Sequence, residues 1–142
     1  MILVDANLLI YAIDADSPHH AAARPWLEGV LSGTARVGFA WVVILAFLRI
    51  TTRPGILRRP LPLDQALGYL SEWLALPNVV AVAPGERHWP VLQNLLTATG
   101  AAGNLVSDSH LAALAIEHGY TIYSTDHDFQ RFAGITHVNP LA

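Results

Sequence analysis

Acidic residues follow two short apolar runs near opposite ends of the chain. Asp5 comes directly after the run Ile-Leu-Val at 2–4, and Asp126 and Asp128 come shortly after the run Thr-Ile-Tyr at 121–123. In an open parallel sheet, ligands bind outside the carboxyl ends of the strands, so acids placed there converge. The spacing therefore predicts one cluster of carboxylates, which indicates a site for a hard divalent cation.

Asp108 is a further candidate for this cluster. It lies in the segment 104–113, Asn-Leu-Val-Ser-Asp-Ser-His-Leu-Ala-Ala, near the start of a predicted helix. Carboxylates that share a cleft repel one another, and without a cation some of them have raised pKa values. Mg²⁺ or Mn²⁺ relieves this repulsion, and a bound ion can lower the pKa of a water and orient it toward a phosphodiester. The four acids together therefore predict metal-dependent phosphodiester hydrolysis.

Each acid also has a purely structural interpretation. Asp5 and Asp126 precede predicted helices and could serve only as N-caps, and Asp108 could be an acid that the helix dipole favours in a first turn. Only the joint placement of these side chains at one edge of a sheet favours the catalytic interpretation.

The elements that must position these residues alternate between strand-like and helix-like segments. Strands are predicted at 1–4, 36–39, 79–82, 120–123 and 136–138, and helices at 6–13, 20–31, 41–52, 63–76, 86–99 and 105–118, with a short helix that ends at Phe132. This alternation predicts an α/β fold with a mostly parallel sheet of four or five strands between helices. No linker or repeat divides the chain, so residues 1–142 are predicted to form a single domain.

The composition limits the classes of protein that this chain can belong to. Hydrophobic residues make up 53% and charged residues 13%, which is more apolar than a typical soluble domain, so we expect part of the surface to contact another chain. The uncharged stretch 37–48 is too short to span a bilayer, and the first residues lack a secretory signal. A cytoplasmic protein without a membrane anchor is the expectation.

The chain contains neither cysteine nor lysine. Disulfides, thiolate chemistry and Cys-ligated zinc are therefore excluded, as are Schiff-base chemistry and a P-loop lysine. All eight cationic residues are arginine, which binds phosphate through its planar fork, although a net charge of −3 argues against nonspecific coating of nucleic acid. The seven histidines lack His-x-x-x-His spacing, so no histidine-ligated zinc site is predicted.

Three segments resemble the PIN-domain ribonucleases. They are 1–11 (Met-Ile-Leu-Val-Asp-Ala-Asn-Leu-Leu-Ile-Tyr), 104–119, and 123–129 (Tyr-Ser-Thr-Asp-His-Asp-Phe). More narrowly, the whole chain resembles the VapC toxins of bacterial toxin–antitoxin modules, of the kind abundant in mycobacteria. The resemblance implies a Rossmann-like three-layer sandwich, RNA cleavage that depends on Mg²⁺ or Mn²⁺, a homodimer, and neutralisation by a cognate VapB-type antitoxin.

The resemblance also assigns roles to particular residues. By position, Asp5, Asp108 and Asp126 match the metal-binding acids of the family, and Asp128 matches an additional catalytic acid beside them. Two polar residues match positions that support the site, and these are Asn7 and Thr125.

One position departs from the family pattern. The family commonly has a glutamate on the helix after the second strand, where this chain has Ala46 within Ile-Leu-Ala-Phe-Leu-Arg at 44–49. The lost ligand is expected to weaken metal binding or to narrow the activity, while the remaining acids sustain it.

Arginine and tryptophan give two further predictions. Arg49, Arg53, Arg58 and Arg59 follow closely on one another, and they could hold RNA phosphates or be solvated charges at a helix end. The tryptophans lie on four predicted helices, and most are expected to pack in the core, with the remainder of the apolar surface facing a dimer partner or antitoxin; they are Trp26, Trp41, Trp73 and Trp89.

Three classes of function stay open at this stage. The first is a metal-dependent endoribonuclease toxin. The second is a catalytically weak binding module that keeps its RNA and antitoxin contacts but lacks the glutamate at Ala46. The third is another α/β phosphate enzyme or a receiver domain, which the absence of lysine disfavours because those folds usually require one.

Overall fold

Strands and helices alternate along residues 1–142, all of which the computed structural model describes. The strands are β1 (Ile2–Val4), β2 (Val37–Ala40), β3 (Val79–Val82), β4 (Thr121–Tyr123) and β5 (His137–Val138). The helices are α1 (Ala6–Ile13), α2 (His20–Leu31), α3 (Trp41–Thr52), α4 (Leu63–Leu74), α5 (His88–Thr99) and α6 (Leu105–His118), and a 3₁₀ helix covers His127–Arg131. The predicted α/β fold is confirmed.

The five strands form one sheet in the order β3-β2-β1-β4-β5, and every neighbouring pair is parallel. From β1 the chain first adds β2 and β3 on one side and then crosses to add β4 and β5 on the other. The switch point therefore lies between β1 and β4, which is where open α/β sheets bind their ligands.

The central strands are apolar along their whole length because helices cover both of their faces. Every residue of β1 and of β2 is buried, as the continuous runs Ile-Leu-Val and Val-Gly-Phe-Ala require. One apolar core contains 31 buried residues, to which β1, α1, α3 and α6 all contribute. This core fixes the strand ends, and so it fixes the positions of the residues that follow them.

Several sequence predictions of detail were wrong. Helix α5 begins at His88, two residues later than predicted, and it buries His88 and Leu95, whereas the Trp89 side chain is 64% exposed. Successive helical residues lie about 100° apart, so a helix that turns His88 inward turns its neighbour Trp89 outward. Trp41 is also half-exposed, whereas Trp73 is buried and Trp26 packs against the core. Core packing therefore holds for two of the four tryptophans.

None of the helices combines the length and the apolar character that crossing a bilayer requires.

Candidate metal centre

The strands β1 and β4 bring the two ends of the chain together. They pair in parallel with Val4 opposite Tyr123, and the backbone N–H of Asp5 continues the ladder by donating to the carbonyl of Tyr123 over 3.0 Å. Asp5 and the segment after β4 therefore lie side by side at the carboxyl edge of the sheet, at the switch point. The sheet therefore brings Asp5 next to the segment that contains Asp126 and Asp128, as the two strand-like runs predict.

Three carboxylates meet at this edge. Asp108, Asp126 and Asp128 can each direct one oxygen so that all three oxygens lie within 4.8 Å of one another. Asp108 reaches the site from the first turn of α6, and Asp126 and Asp128 flank the start of the 3₁₀ helix. All three side chains are partly buried.

Asp5 lies beside this group and is held by hydrogen bonds. Its carboxylate accepts from the Ala6 N–H over 2.8 Å and from the Ser124 hydroxyl over 2.6 Å. Burial raises the pKa of Asp5, the two hydrogen bonds offset this in part, and the charge of Asp126 raises it further. Asp5 is therefore a deeper, more fixed carboxylate than the three that form the tight cluster.

Mutual repulsion is clearest at Asp108. Burial first, and then the charges of Asp126, Asp5 and Asp128, raise the pKa of Asp108 to about 6. The charges of Asp126, Asp5 and Asp128 thus act on Asp108 in the direction expected for carboxylates that lie near one another.

The structural interpretation of these acids also holds. Asp5 caps α1 through the Ala6 N–H, and Asp126 caps the 3₁₀ helix by accepting from the Asp128 N–H over 2.9 Å. Capping uses only one carboxylate oxygen of Asp126, and so it leaves the other for a ligand. Helix capping and metal binding are therefore compatible, because a capping carboxylate that follows a strand also lies at the ligand crevice.

Ser124 is a site residue that the sequence analysis missed. Its side chain is fully buried, and its hydroxyl donates to Asp5 while accepting from the Asp126 N–H over 3.0 Å and from Asn7 Nδ2 over 3.3 Å. The available signal was a small hydroxyl residue directly after a strand and two positions before an acid. Ser124 couples the two chain ends within the site.

Asn7 and Thr125 stand where a supporting role would place them. Asn7 Nδ2 donates to the Thr125 hydroxyl over 2.9 Å, which bridges α1 and the segment after β4. Asn7 Oδ1 is buried and has no hydrogen-bond partner within the protein. A buried acceptor without a hydrogen bond costs free energy. Asn7 Oδ1 is therefore a further oxygen that a bound ligand or water could contact.

A cavity of about 250 Å³ opens beside Asp5 and Asp108. Residues of α3 also line it, and these include Ala46 and, one turn further along, Arg49. Ala46 thus faces the cavity that the acids line, in the place where the sequence analysis expected a glutamate.

The other candidate RNA-binding arginines do not line this cavity. Arg59 pairs with Asp16 through two hydrogen bonds of 3.0 Å, and Arg58 is close enough to lower the pKa of Asp16 as well. Asp16 follows the C-terminal end of α1, whereas Asp5 caps its N-terminal end, and an eight-residue helix is about 12 Å long. Arg53 directly follows α3 and forms no ion pair. Of the candidates, Arg49 alone lines the cavity.

The residues at this edge fit a hard divalent cation. They present only oxygen donors, carboxylates foremost, and they carry repulsion that a cation would relieve. The cluster contains no histidine, and His110 shares a hydrogen bond of 2.9 Å with His88. The arrangement can hold a divalent metal ion, and an ion in such a site can activate a water toward a phosphodiester.

Comparison with known proteins decides the family. The sequence model of the PIN domain matches residues 2–135, which is nearly the whole chain. This chain belongs to the PIN domain family. The identification agrees with the five-stranded parallel sheet and with acids at its switch point.

Relatives of this PIN domain match it from end to end. It is 49% identical over 142 residues to Ribonuclease VapC37 of Mycobacterium tuberculosis, with coverage of 100% of this chain and 99% of the relative. It is 40% identical over 141 residues to Ribonuclease VapC33 of the same species, with coverage of 99% of each.

Solved structures show the same fold at lower identity. The VapBC2 complex of Rickettsia felis, bound to a DNA fragment from its promoter, matches with a TM-score of 0.70 at 18% identity, covering 98% of each chain. VapC20 of Mycobacterium tuberculosis, described as a toxin that cleaves the sarcin–ricin loop, matches with a TM-score of 0.65 at 18% identity, covering 96% of this chain and 99% of that one.

Proposed function

We propose that this PIN domain is the toxin of a type II toxin–antitoxin module and an endoribonuclease that hydrolyses RNA phosphodiester bonds with a divalent metal. The cluster of Asp108, Asp126 and Asp128 carries the proposal, because helix capping accounts for one oxygen of Asp126 but not for the convergence of three carboxylates within 4.8 Å. The end-to-end similarity to proteins named Ribonuclease VapC supports the reaction and the class of substrate.

Mg²⁺ or Mn²⁺ is the proposed cofactor, with Asp5, Asp108 and Asp126 as the proposed ligands and Asp128 as a further catalytic acid. Bound there, the ion supplies the Lewis acidity that hydrolysis of a phosphodiester requires. The ion's charge would offset the burial and the neighbouring carboxylate charges that raise the pKa of Asp108, so that this carboxylate stays ionised near neutral pH.

The protein's own groups hold this site in place before any ligand arrives. Ser124 fixes the Asp5 carboxylate and the backbone of Asp126, and Asn7 and Thr125 tie α1 to the same segment. The supporting groups hence limit how far the acids can move apart under their mutual repulsion. Such preorganisation lowers the cost of assembling the charged site for each reaction.

Protein partners are part of the proposal. The solved relatives include complexes titled VapBC, and we assign to this chain a cognate VapB-type antitoxin, a homodimer and a cytoplasmic location, with residues 1–142 as a single domain. Large apolar side chains remain exposed on several helices, and such surface is available to a protein partner; they include Trp41, Leu63, Leu67 and Trp89.

A second candidate function rests on Ala46. Because the cavity wall opposite Asp5 and Asp108 carries a methyl group in place of a carboxylate, the site has one acid fewer than the family pattern. A protein with weakened metal binding could act mainly by binding RNA or antitoxin. Metal affinity in solution separates the two candidates.

Cleavage of total cellular RNA by the purified, antitoxin-free protein tests the proposal. We expect discrete products with Mg²⁺ or Mn²⁺, none with EDTA, and loss of at least 100-fold in rate in Asp5→Asn and Asp126→Asn, since one removed transition-state group costs about 10²–10³ in kcat. Asp64→Asn, which removes an exposed first-turn acid of α4, is the matched control and should cleave like the wild type. Metal-independent cleavage, or full activity in both site variants, would refute the nuclease assignment.

A further inference from the structure

The cavity beside the metal centre has two chemically different walls. Asp5 and Asp108 form one wall, and the side of α3 forms the other. The α3 side is apolar over the stretch 42–46, with Leu111 of α6 completing it; its side chains are Val42, Val43, Leu45, Ala46 and Leu111. Val43 and Leu111 belong to the core, and Val42 and Ala46 pack against it, so Leu45 is the lining side chain that core packing does not explain.

Only Leu45 among the apolar lining residues is exposed to solvent. Leu45 is 60% exposed, whereas Val43 and Leu111 are each 2% exposed and Ala46 is partly buried. The exposed part of the Leu45 side chain stays in contact with water, so the free energy of burying it is not realised in this conformation. A ligand with an apolar face would recover part of that free energy.

The rim of the cavity is polar. Arg49 stands one turn after Ala46 on α3, and Ser107 precedes Asp108 on α6; both line the same cavity. Arg49 makes no ion pair, so its guanidinium is free to contact an anion or the edge of a base. The cavity thus offers an apolar face, a polar rim and an adjacent carboxylate cluster within about 250 Å³.

A single unstacked nucleobase matches this combination. A base has flat apolar faces and a polar edge, and enzymes that bind one base out of its stack hold it between apolar side chains while polar groups contact its edge. A volume of about 250 Å³ is large enough for one base.

We propose that the apolar wall formed by Val42, Leu45 and Ala46 binds one unstacked base of the RNA substrate next to the carboxylate cluster, while Arg49 contacts a neighbouring phosphate. This inference rests on the proposed ribonuclease function and names the part of the RNA that the site holds. Ala46 then helps to determine which RNA binds, because the side chain of a glutamate at that position would occupy the space proposed for the base and would place a carboxylate there.

Truncation of the exposed leucine is the first test. In an Asp126→Asn background with EDTA, where RNA is bound without being cut, Leu45→Ala should lower the affinity for single-stranded RNA at least about fivefold, the lower limit for losing one base contact. Leu63→Ala is the matched control, because Leu63 is also 60% exposed and also lies in the first turn or two of a helix. Its affinity for RNA should stay within about twofold of the background, which is well below one lost base contact.

Substitutions of Ala46 supply a second test that does not depend on truncation. Ala46→Leu should fill the base site with an uncharged side chain. RNA affinity should then fall about tenfold, which corresponds to the loss of one strong base contact. The Mn²⁺ affinity, measured by calorimetry on the single variant, should stay unchanged. Ala46→Glu should raise Mn²⁺ affinity and still lower RNA affinity. Ala22→Leu, which adds the same bulk on an exposed position of α2, controls for the added side chain.

Three outcomes would overturn the base site. RNA affinity could be unchanged in both Leu45→Ala and Ala46→Leu. Leu45→Ala could instead dissociate an oligomer while RNA affinity stays constant, which would make this wall a protein interface. Ala46→Glu could raise metal affinity and turnover together at the same cleavage sites, which would make Ala46 only a lost ligand. In each case metal-dependent cleavage by the wild type would leave the proposed function standing, and its absence would refute that function separately.

Discussion

The Ser124 hydroxyl donates a hydrogen bond of 2.6 Å to the Asp5 carboxylate, which joins residues from opposite ends of the chain. The same oxygen accepts from the Asp126 N–H and from the Asn7 amide. One buried hydroxyl therefore orients the carboxylate after β1, the backbone after β4 and the amide in the first turn of α1. The geometry of the site depends on this atom more than on any other uncharged group.

Ser124→Ala should weaken both the fold and the site. Removing the hydroxyl leaves the buried Asp5 carboxylate without one of its two donors, so we expect a loss of about 1–3 kcal/mol in the free energy of unfolding and slower RNA cleavage. Ser109→Ala is the matched control, because Ser109 is equally buried but its hydroxyl bonds only to the Leu105 carbonyl within the same helix. Denaturant titration of both variants measures the difference, and equal losses would show that Ser124 has no special role.

Asp108→Asn should stabilise the metal-free protein at neutral pH. The pKa of Asp108 rises from 3.8 to about 6 on folding. Between pH 3.8 and about 6, the folded state therefore keeps a proton that the unfolded state has released. The free energy of unfolding consequently falls as the pH rises through this range. The substitution removes that cost above pH 6, and partial exposure limits the gain to on the order of 1 kcal/mol, or about 3 °C in Tm.

Melting curves at pH 7 and at pH 4 in EDTA check this prediction. The gain at pH 7 should shrink at pH 4, where Asp108 is protonated in the folded wild-type protein. Asp64→Asn provides the control, since Asp64 is exposed in the first turn of α4. A gain that is the same at both pH values would contradict the electrostatic explanation.

Arg49→Ala should change the salt dependence of RNA binding more than Arg59→Ala does. Arg49 lines the cavity and has no acidic partner, whereas Arg59 is paired with Asp16 beyond the far end of α1. Loss of one phosphate contact to single-stranded RNA should reduce the slope of log K against log salt by about 0.7. If Arg53 and Arg58 hold RNA phosphates, neutralising both should also flatten this slope, and the same titration tests it.

Gly38→Ala should destabilise the centre of the sheet. A Cβ on Gly38 would lie 2.8 Å from Val82 Cγ2 and 3.4 Å from Leu3 Cδ1, inside fully packed strands. Overpacking of this kind costs about 1–3 kcal/mol. Gly68→Ala provides the contrast, because its Cβ meets no atom within 4 Å on an exposed face of α4, and alanine should stabilise that helix by about 0.5–1 kcal/mol. Thermal melts of the two variants should therefore shift in opposite directions.

The sequence by itself determined the elements and the candidate acids. Short apolar, β-branched runs such as 2–4 and 121–123 favour strands, and acids placed shortly after them lie at the ligand edge of a parallel sheet. Local signals of this kind depend on neighbouring residues alone, which is why most helix bounds agree with the structure to within two residues.

Only the tertiary structure decided how the strands are ordered and what the side chains contact. The order β3-β2-β1-β4-β5 places the switch point between β1 and β4, and no local pattern encodes that order. The bond from Ser124 to Asp5, the cavity that Ala46 faces and the ion pair of Arg59 with Asp16 each join residues at least 40 positions apart. Such contacts arise from the packing of whole elements, and a side chain's partner is fixed only when the core has set the distance between them.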